Sequence, residues 1–246
     1  MAVINLPSVP STNTWAKEHA EELCHGDIVA TPCQTAGRGQ RGNHWEAQPG
    51  LNLTFSIFLR PKAIAPARQF LISEIVSLAV AETLRRHLPE SSTHRISVKW
   101  PNDIYAGDRK IAGILIEHTV SGGGIAHTVV GIGLNVNQRK FVSDAPNPVS
   151  MTMIAGKDFN TETIMHEIAR QITEQTGGIP HSPTIHADYL ASLWRNDGLP
   201  HQFSTPGGGT FRAVIEDVSE TGMLRLAPAD GAPPREFAFK EVAFIL

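Results

Sequence analysis

The chain has 246 residues, of which 41% are hydrophobic and 18% are charged, and its formal net charge is −3 at pH 7. This composition excludes an intrinsically disordered chain, which would carry fewer apolar residues and a higher net charge. It also argues against a dedicated nucleic-acid-binding protein, which normally has a surplus of basic residues on one face. The length suits one large domain or two unequal ones.

The cysteines, the histidines and the first residues indicate neither a disulfide framework, a metal site nor export. Cys24 and Cys33 are too far apart for a C-x-x-C pair, and the histidines lack the spacing of a zinc site. The start of the chain lacks the basic residues and the apolar core of a signal peptide. No stretch approaches the ~18 apolar residues of a membrane span. We therefore expect a cytoplasmic protein without a membrane partner.

Hydrophobic periodicity predicts an α+β domain followed by a small β domain. Helices are expected at 14–23, 67–87, 163–176 and 184–194, and strands at 27–31, 51–59, 95–100, 110–118 and 127–135. After residue 197 four short β runs alternate with turns rich in glycine, proline and aspartate. The predicted domains are therefore 1–197, which carries the site, and 198–246, a small β-barrel.

A glycine-rich segment at 35–50 is the first candidate site. Residues 37–42 (GRGQRG) match the G-x-G-x-x-G dinucleotide fingerprint and follow a strand. That fingerprint must open a helix, whereas Pro49 and Gly50 would end any helix here within two turns. Arg38 and Arg41 nevertheless suit phosphate, because guanidinium groups bind anions bidentately. The alternative is a solvated loop.

Two further segments carry candidate residues. Lys99 ends a strand before Trp100 and Pro101, which would hold its ammonium as a fixed cation for phosphoryl or carboxylate oxygens. Asn102, after this pair, would either cap a turn or assist a magnesium ion. Glycines at 131 and 133 mark a close approach of a ligand or of another backbone segment. Asn135 then offers a donor and an acceptor for an adenine edge. The alternatives are an ordinary strand-end lysine and a bulged core strand.

Taken together, these segments resemble the biotin–protein ligase family. The resemblance rests on 11–13 (STN), Gln34, 37–45 (GRGQRGNHW), 99–103 (KWPND), 110–117 (KIAGILIE) and 133–135 (GLN). It implies a mixed β-sheet with packed helices, as in class II aminoacyl-tRNA synthetases and lipoate ligases, followed by a C-terminal SH3-like barrel. It also implies an ATP-dependent ligase that forms biotinyl-5′-adenylate and transfers biotin to one lysine of a biotin carboxyl carrier protein.

The resemblance also assigns roles to single residues, with biotin and ATP as substrates and Mg²⁺ as the ion. The catalytic residues would be Lys99 and Arg38. The biotin site would consist of Ser11, Thr12, Asn13, Gln34, Arg38, Gly39, Gln40, Lys99, Gly113 and Leu115. The ATP site would consist of Arg38, Arg41, Trp45, Lys99, Asn102 and Asn135. No resident metal site and no DNA partner are expected, and a homodimer stays open.

Two alternatives and one departure accompany this interpretation. Lipoate or octanoate transfer on the same fold needs apolar walls but no polar set for a ureido ring, so the polar residues favour biotin. A nucleotide-sensing regulator would be expected to carry a DNA-binding domain. Gln40 stands where the family often has arginine, so we expect weaker retention of the adenylate. The acceptor carboxylase is not indicated by the sequence.

Overall fold

A computed structural model describes residues 1–40, 44–61, 64–89, 91–142, 147–177 and 183–245. The first part contains the following strands and helices: β1 Val3–Asn5, α1 Thr12–Glu18, β2 Ile28–Thr31, β3 Leu53–Leu59, α2 Phe70–His87, β4 Ile96–Lys99, β5 Asp103–Ala106, β6 Arg109–Ser121, β7 Gly124–Leu134, α3 Met151–Ala155, α4 Thr161–Thr176 and α5 Pro183–Ser192. The last part contains β8 His201–Ser204, β9 Thr210–Val218, β10 Leu224–Pro228, β11 Arg235–Phe237 and β12 Ala243–Phe244.

The first seven strands form one mixed sheet in the order β1-β2-β3-β7-β6-β5-β4. Only β1 and β2 pair in parallel; the other neighbours are antiparallel. The central strand β3 is buried at all seven positions. Its Phe58 packs with α1 on one face, while Phe55, Ile57 and Leu59 belong to the larger core on the other face, where α2 and α4 lie. The predicted mixed sheet with packed helices is therefore confirmed.

The predicted strands and long helices of this part are confirmed, with shifted ends. Helix α1 begins at Thr12 because the Ser11 hydroxyl caps it, accepting a hydrogen bond from the Thr14 amide at 3.4 Å. It ends at Glu18, so the expected end at residue 23 was wrong. Arg60 donates to the carbonyls of Ala20 and Leu23 in the turns that follow. Strands β1 and β5 and helix α3 were not predicted, because three to five residues carry too little periodicity.

The last five strands form an open antiparallel sheet in the order β11-β10-β9-β8-β12. Its end strands do not pair with each other in the described residues, so the closed SH3-like barrel is not established. This sheet packs against the first part of the chain through a continuous hydrophobic core. Trp100 Nε1 also donates to the Gly222 carbonyl at 3.0 Å. The boundary at 197/198 stays a prediction.

Among the described residues, no helix combines the length and the hydropathy that a membrane crossing requires.

His186 connects helix α2 in the first part of the chain to strand β9 in the last part through two carboxylates. His186 on α5 lies 2.7 Å from Glu74 Oε1 on α2 and 2.9 Å from Asp217 Oδ1 on β9. Burial alone would lower the pKa of His186, but hydrogen bonds and charge from both carboxylates raise it. Burial raises the pKa of Glu74, and His186 partly opposes this. Both shifts mean that the folded state binds more protons than the unfolded state, so this contact stabilises the fold at low pH.

We predict that the contribution of His186 to stability falls as pH rises. It should be fully present below the unfolded histidine pKa of about 6.5 and lost as pH passes the raised folded value. His186→Gln should lower the free energy of unfolding at pH 6 by up to about 1 kcal/mol, since the site is partly exposed, and by less at pH 9. Urea unfolding at both pH values measures this. His166→Gln, on the exposed face of α4, is the control and should cost no more than about 0.5 kcal/mol.

Candidate active site

One cavity opens on the face of the seven-stranded sheet where α1 begins. It is lined by the start of α1, by residues of β3, β6 and β7, by residues 34, 38–40, 44 and 45, and by Phe239 from the last part of the chain. Eleven residues named from the sequence line it: Ser11, Thr12, Asn13, Gln34, Arg38, Gly39, Gln40, Trp45, Asn102, Gly113 and Leu115. Lys99 and Asn135 do not line it, and Arg41 lies outside the described residues.

The start of α1 and Gln34 form one polar end of the cavity. Ser11, Thr12 and Asn13 are all buried. Gln34 Oε1 accepts from the Thr12 amide at 3.0 Å and from the Thr12 hydroxyl at 3.3 Å. Ser56, a buried residue of β3 that sequence reasoning missed, lies 2.7 Å from the Thr12 hydroxyl. The end of the cavity is therefore a hydrogen-bonded set of polar groups with fixed positions.

The side chain of Asn13 is held from three directions. Its Nδ2 donates to the Leu115 carbonyl at 3.1 Å and to Glu117 Oε2 at 2.9 Å. Its Oδ1 accepts from the Ser56 hydroxyl at 2.6 Å. Both hydrogens of the amide are thus in use, whereas Oδ1 retains acceptor capacity for a ligand N–H.

Three glycines form a floor without side chains beneath these groups. Gly113 and Gly133 are directly paired in the β6–β7 ladder, and Gly131 lies two residues away on β7. A Cβ on Gly131 would overlap Asn13 Oδ1, and a Cβ on Gly133 would overlap the Trp45 ring. The sequence predicted that a ligand or another backbone segment approaches these glycines; in the structure the side chains of Asn13 and Trp45 lie against them.

Two buried polar atoms near this floor have no hydrogen-bond partner among the residues that the structure describes. They are the indole Nε1 of Trp45 and Oδ1 of Asn135. Asn135 is 3% exposed, and its Nδ2 donates to the Val149 carbonyl at 3.1 Å. An unpartnered buried acceptor is costly unless a ligand satisfies it. Asn135 thus keeps one acceptor for a donor such as an exocyclic amino group.

Lys99 ends β4 as predicted, but its ammonium turns away from the cavity. Nζ donates to the Tyr105 hydroxyl at 3.0 Å. It also lies 5.6 Å from the ring centroid of Trp194 and 6.0 Å from that of Phe244. Burial lowers the pKa of Lys99, while the nearby carboxylate of Asp103 opposes this shift. The catalytic role assigned to Lys99 therefore stays a prediction, and reaching the cavity would require another side-chain rotamer.

A different lysine lines the cavity. Lys110, at the start of β6, forms a 2.7 Å ion pair with Asp103 Oδ1, and its Nζ lies 5.8 Å from the Trp45 ring centroid. The segment 110–117 is part of the family resemblance, but the sequence alone assigned no role to its first residue, Lys110, or its last, Glu117. Lys110 lines the cavity and Glu117 contacts groups beside it, and their charges were the available signal.

Glu117, the last residue of that segment, gathers charged groups beside the cavity. Its Oε1 lies 2.6 Å from Lys17 Nζ and 3.2 Å from Arg38 Nη2. Arg38 also donates to the Thr14 hydroxyl at 3.2 Å. Burial would raise the pKa of Glu117, but hydrogen bonds from Lys17 and Asn13 and the charges of both cations hold it below its usual value. Glu117 is therefore an anion that pairs with two cations next to the cavity.

These features belong to one known family. The model of the biotin/lipoate A/B protein ligase family matches residues 5–135. This range includes α1, the glycine floor, Lys110 and Glu117. The chain belongs to this family.

Individual relatives agree with that assignment. The bifunctional ligase/repressor BirA of Escherichia coli is 34% identical over 187 residues, covering 73% of this chain and 57% of the relative. The biotin--[acetyl-CoA-carboxylase] ligase of Paracoccus denitrificans is 37% identical over 133 residues, 53% of each chain. The chain spans about half the length of these curated relatives. Among solved structures, the biotin protein ligase from Aquifex aeolicus in complex with biotin and ATP aligns with a TM-score of 0.78 at 25% identity, over 98% of this chain and 97% of that one.

We predict that Gly131→Ala disturbs the polar end of the cavity, because the added methyl group would collide with the Asn13 amide. Overpacking of this kind costs about 1–3 kcal/mol. Gly124→Ala in the same strand is the matched control, since a Cβ there meets nothing within 4 Å, and it should change stability by less than about 0.5 kcal/mol. Equilibrium unfolding of both variants measures the difference. Equal stability of the two would contradict the packing described.

Proposed function

We propose that this protein is an ATP-dependent ligase that activates biotin as biotinyl-5′-adenylate and transfers it to a specific lysine of a biotin carboxyl carrier protein. The observation that carries the proposal is the buried polar set formed by Ser11, Thr12, Asn13 and Gln34 at one end of the cavity. Similar proteins named as biotin ligases, and a neighbouring structure described with biotin and ATP, support it.

The polar set suits the ureido ring of biotin. The ring offers two N–H donors and one carbonyl acceptor, and Asn13 Oδ1 retains acceptor capacity for one donor. Lipoate and octanoate have no such polar group, so they would leave this set without ligand partners. A site built to hydrogen-bond a polar group strongly rejects analogues that lack it. We therefore favour biotin over the other substrates of the family.

The first chemical step brings like charges together. The biotin carboxylate attacks the α-phosphate of ATP, forming the mixed anhydride and releasing pyrophosphate. Lys110 and Arg38 line the cavity and supply positive charge for this step, and we propose Lys99 as a third cation. Fixed charges aimed at developing negative charge give the largest effect when they are already oriented. In the second step the amine of the acceptor lysine attacks the carbonyl carbon of the anhydride, and AMP leaves.

The nucleotide would lie over the glycine floor. Asn135 Oδ1 would accept from the adenine amino group, which would satisfy the buried acceptor. Trp45 would stack on the base after leaving the position that it occupies above Gly133. Asn102 and Arg41 are further proposed ATP contacts, while Gly39, Gln40, Gly113 and Leu115 would surround biotin.

The residues fit a magnesium ion that arrives with ATP, not a resident metal site. No group of three metal-binding side chains occurs among the described residues. Mg²⁺ is commonly held by one or two carboxylates together with substrate phosphates. Asp103 lines the cavity and would supply such a carboxylate. When bound, Mg²⁺ would neutralise phosphate charge.

We propose that the last part of the chain is an SH3-like domain, residues 198–246, that assists ATP use or docks the carrier protein. Its Phe239 lines the cavity, which supports a role near the chemistry. We propose no DNA partner, because the net charge of −3 offers no basic surplus. A cytoplasmic location and a homodimer are also proposals.

Calorimetric titration tests the substrate. We predict that biotin binds the protein and that lipoate binds at least about 100-fold more weakly, because the polar set would lose its partners. Adding biotin and ATP together should release pyrophosphate, which a nucleotide-sensing regulator would not do. Equal binding of lipoate would contradict the biotin assignment.

A second prediction concerns the cations. Lys99→Ala and Lys110→Ala should each lower the rate of pyrophosphate release by about 100-fold, the usual effect of removing one preorganised stabilising group. Lys157→Ala, which removes a lysine that lies over Phe159 and outside the cavity, is the matched control and should retain the wild-type rate. If only the Lys110 variant lost activity, the role proposed for Lys99 would be wrong.

A further inference from the structure

Glu117 contacts the side chains of Asn13 and Arg38, which the proposed reaction uses, and the side chain of Lys17. One carboxylate oxygen accepts from Asn13, and the other pairs with both Lys17 and Arg38. The Glu117 side chain is 21% exposed, so solvent screens these contacts only in part. The proposed chemical steps do not involve this carboxylate.

The contact with Asn13 fixes which way the amide faces. The Leu115 carbonyl and the Glu117 carboxylate can only accept hydrogen bonds, so the atom between them must be the amide nitrogen. Oδ1 is thereby directed toward Ser56 and Gly131. Without the carboxylate, one of the two restraints on the amide nitrogen would be lost.

The contact between Glu117 and Arg38 would compete with binding of a phosphate by the same N–H groups of the guanidinium. The guanidinium is anchored by Glu117 through Nη2 and by the Thr14 hydroxyl through Nη1, both at 3.2 Å. A phosphate bound by the same donors would have to replace these partners. Lys17 shares the same carboxylate oxygen with Arg38 and lies closer to it, at 2.6 Å.

We infer that Glu117 is a positioning residue with two separable effects: it orients the Asn13 amide for biotin, and together with Thr14 it restrains Arg38 until ATP binds. This inference rests on the proposed function and deepens it. Its two effects act on two substrates, so they can be measured separately as the KM for biotin and the KM for ATP.

Two conservative substitutions test the restraint on Arg38. In Glu117→Gln the amide oxygen still accepts from Asn13, but the amide nitrogen cannot pair with the cations. The KM for biotin should stay within about two-fold, and the KM for ATP should fall by about three-fold, in line with a partly exposed ion pair. Thr14→Val removes the second anchor without changing charge, and it should also lower the KM for ATP. A fall with Glu117→Gln alone would indicate a general charge effect and would overturn the restraint.

A third variant tests the effect on Asn13. Glu117→Ala removes one of the two acceptors of the Asn13 amide nitrogen, leaving only the Leu115 carbonyl, and should raise the KM for biotin by about ten-fold, which Glu117→Gln should not do. Glu216→Gln is the control, because it makes the same chemical change in the exposed pair with Arg225, and both KM values should remain those of the wild type. Equal KM values for biotin in the two Glu117 variants would overturn the orienting role.

These outcomes are distinguishable from a failure of the proposed function. Pyrophosphate release by the wild type with biotin and ATP tests that function directly. An active wild type with unchanged KM values in all Glu117 variants would reject only the role of Glu117. An inactive wild type would reject the biotin ligase proposal and with it the inference.

Discussion

The candidate site depends on a patch of sheet that has no side chains. Gly113, Gly131 and Gly133 lie together on two neighbouring strands in the middle of the seven-stranded sheet. Any larger residue at Gly131 or Gly133 would occupy the space that Asn13 or Trp45 now fills. The ordered backbone of β6 and β7 therefore gives a flat, rigid floor, and the polar and aromatic groups around it can approach closely.

Two carboxylates offset part of the positive charge at the site. Lys110 pairs with Asp103, and Arg38 and Lys17 pair with Glu117. Such pairing lowers the electrostatic cost of holding several cations around one cavity. In the proposed reaction, polyphosphate would bind by exchanging partners with these groups, so the strength of the internal pairs would set part of its affinity.

The sequence was most informative where a long pattern or a specific motif was present. The apolar alternation around Phe55 predicted a strand, and the motifs around Asn13 and Arg38 identified residues that do line one cavity. It was least informative about side-chain direction. Lys99 ends its strand as expected, yet its ammonium turns to Tyr105, because a buried hydroxyl and aromatic rings attract it.

The contribution of Phe239 to the cavity bears on how such proteins diverge. The family match ends at residue 135, and this phenylalanine lies more than a hundred residues beyond that limit. Its ring contacts Trp100, 6.1 Å away between centroids, whose indole is in turn bonded to the Gly222 carbonyl. Substitutions in the part of the chain beyond the family match thus reach the cavity directly. Exchange of that part between two members of the family would alter the walls of the cavity as well as the outer surface.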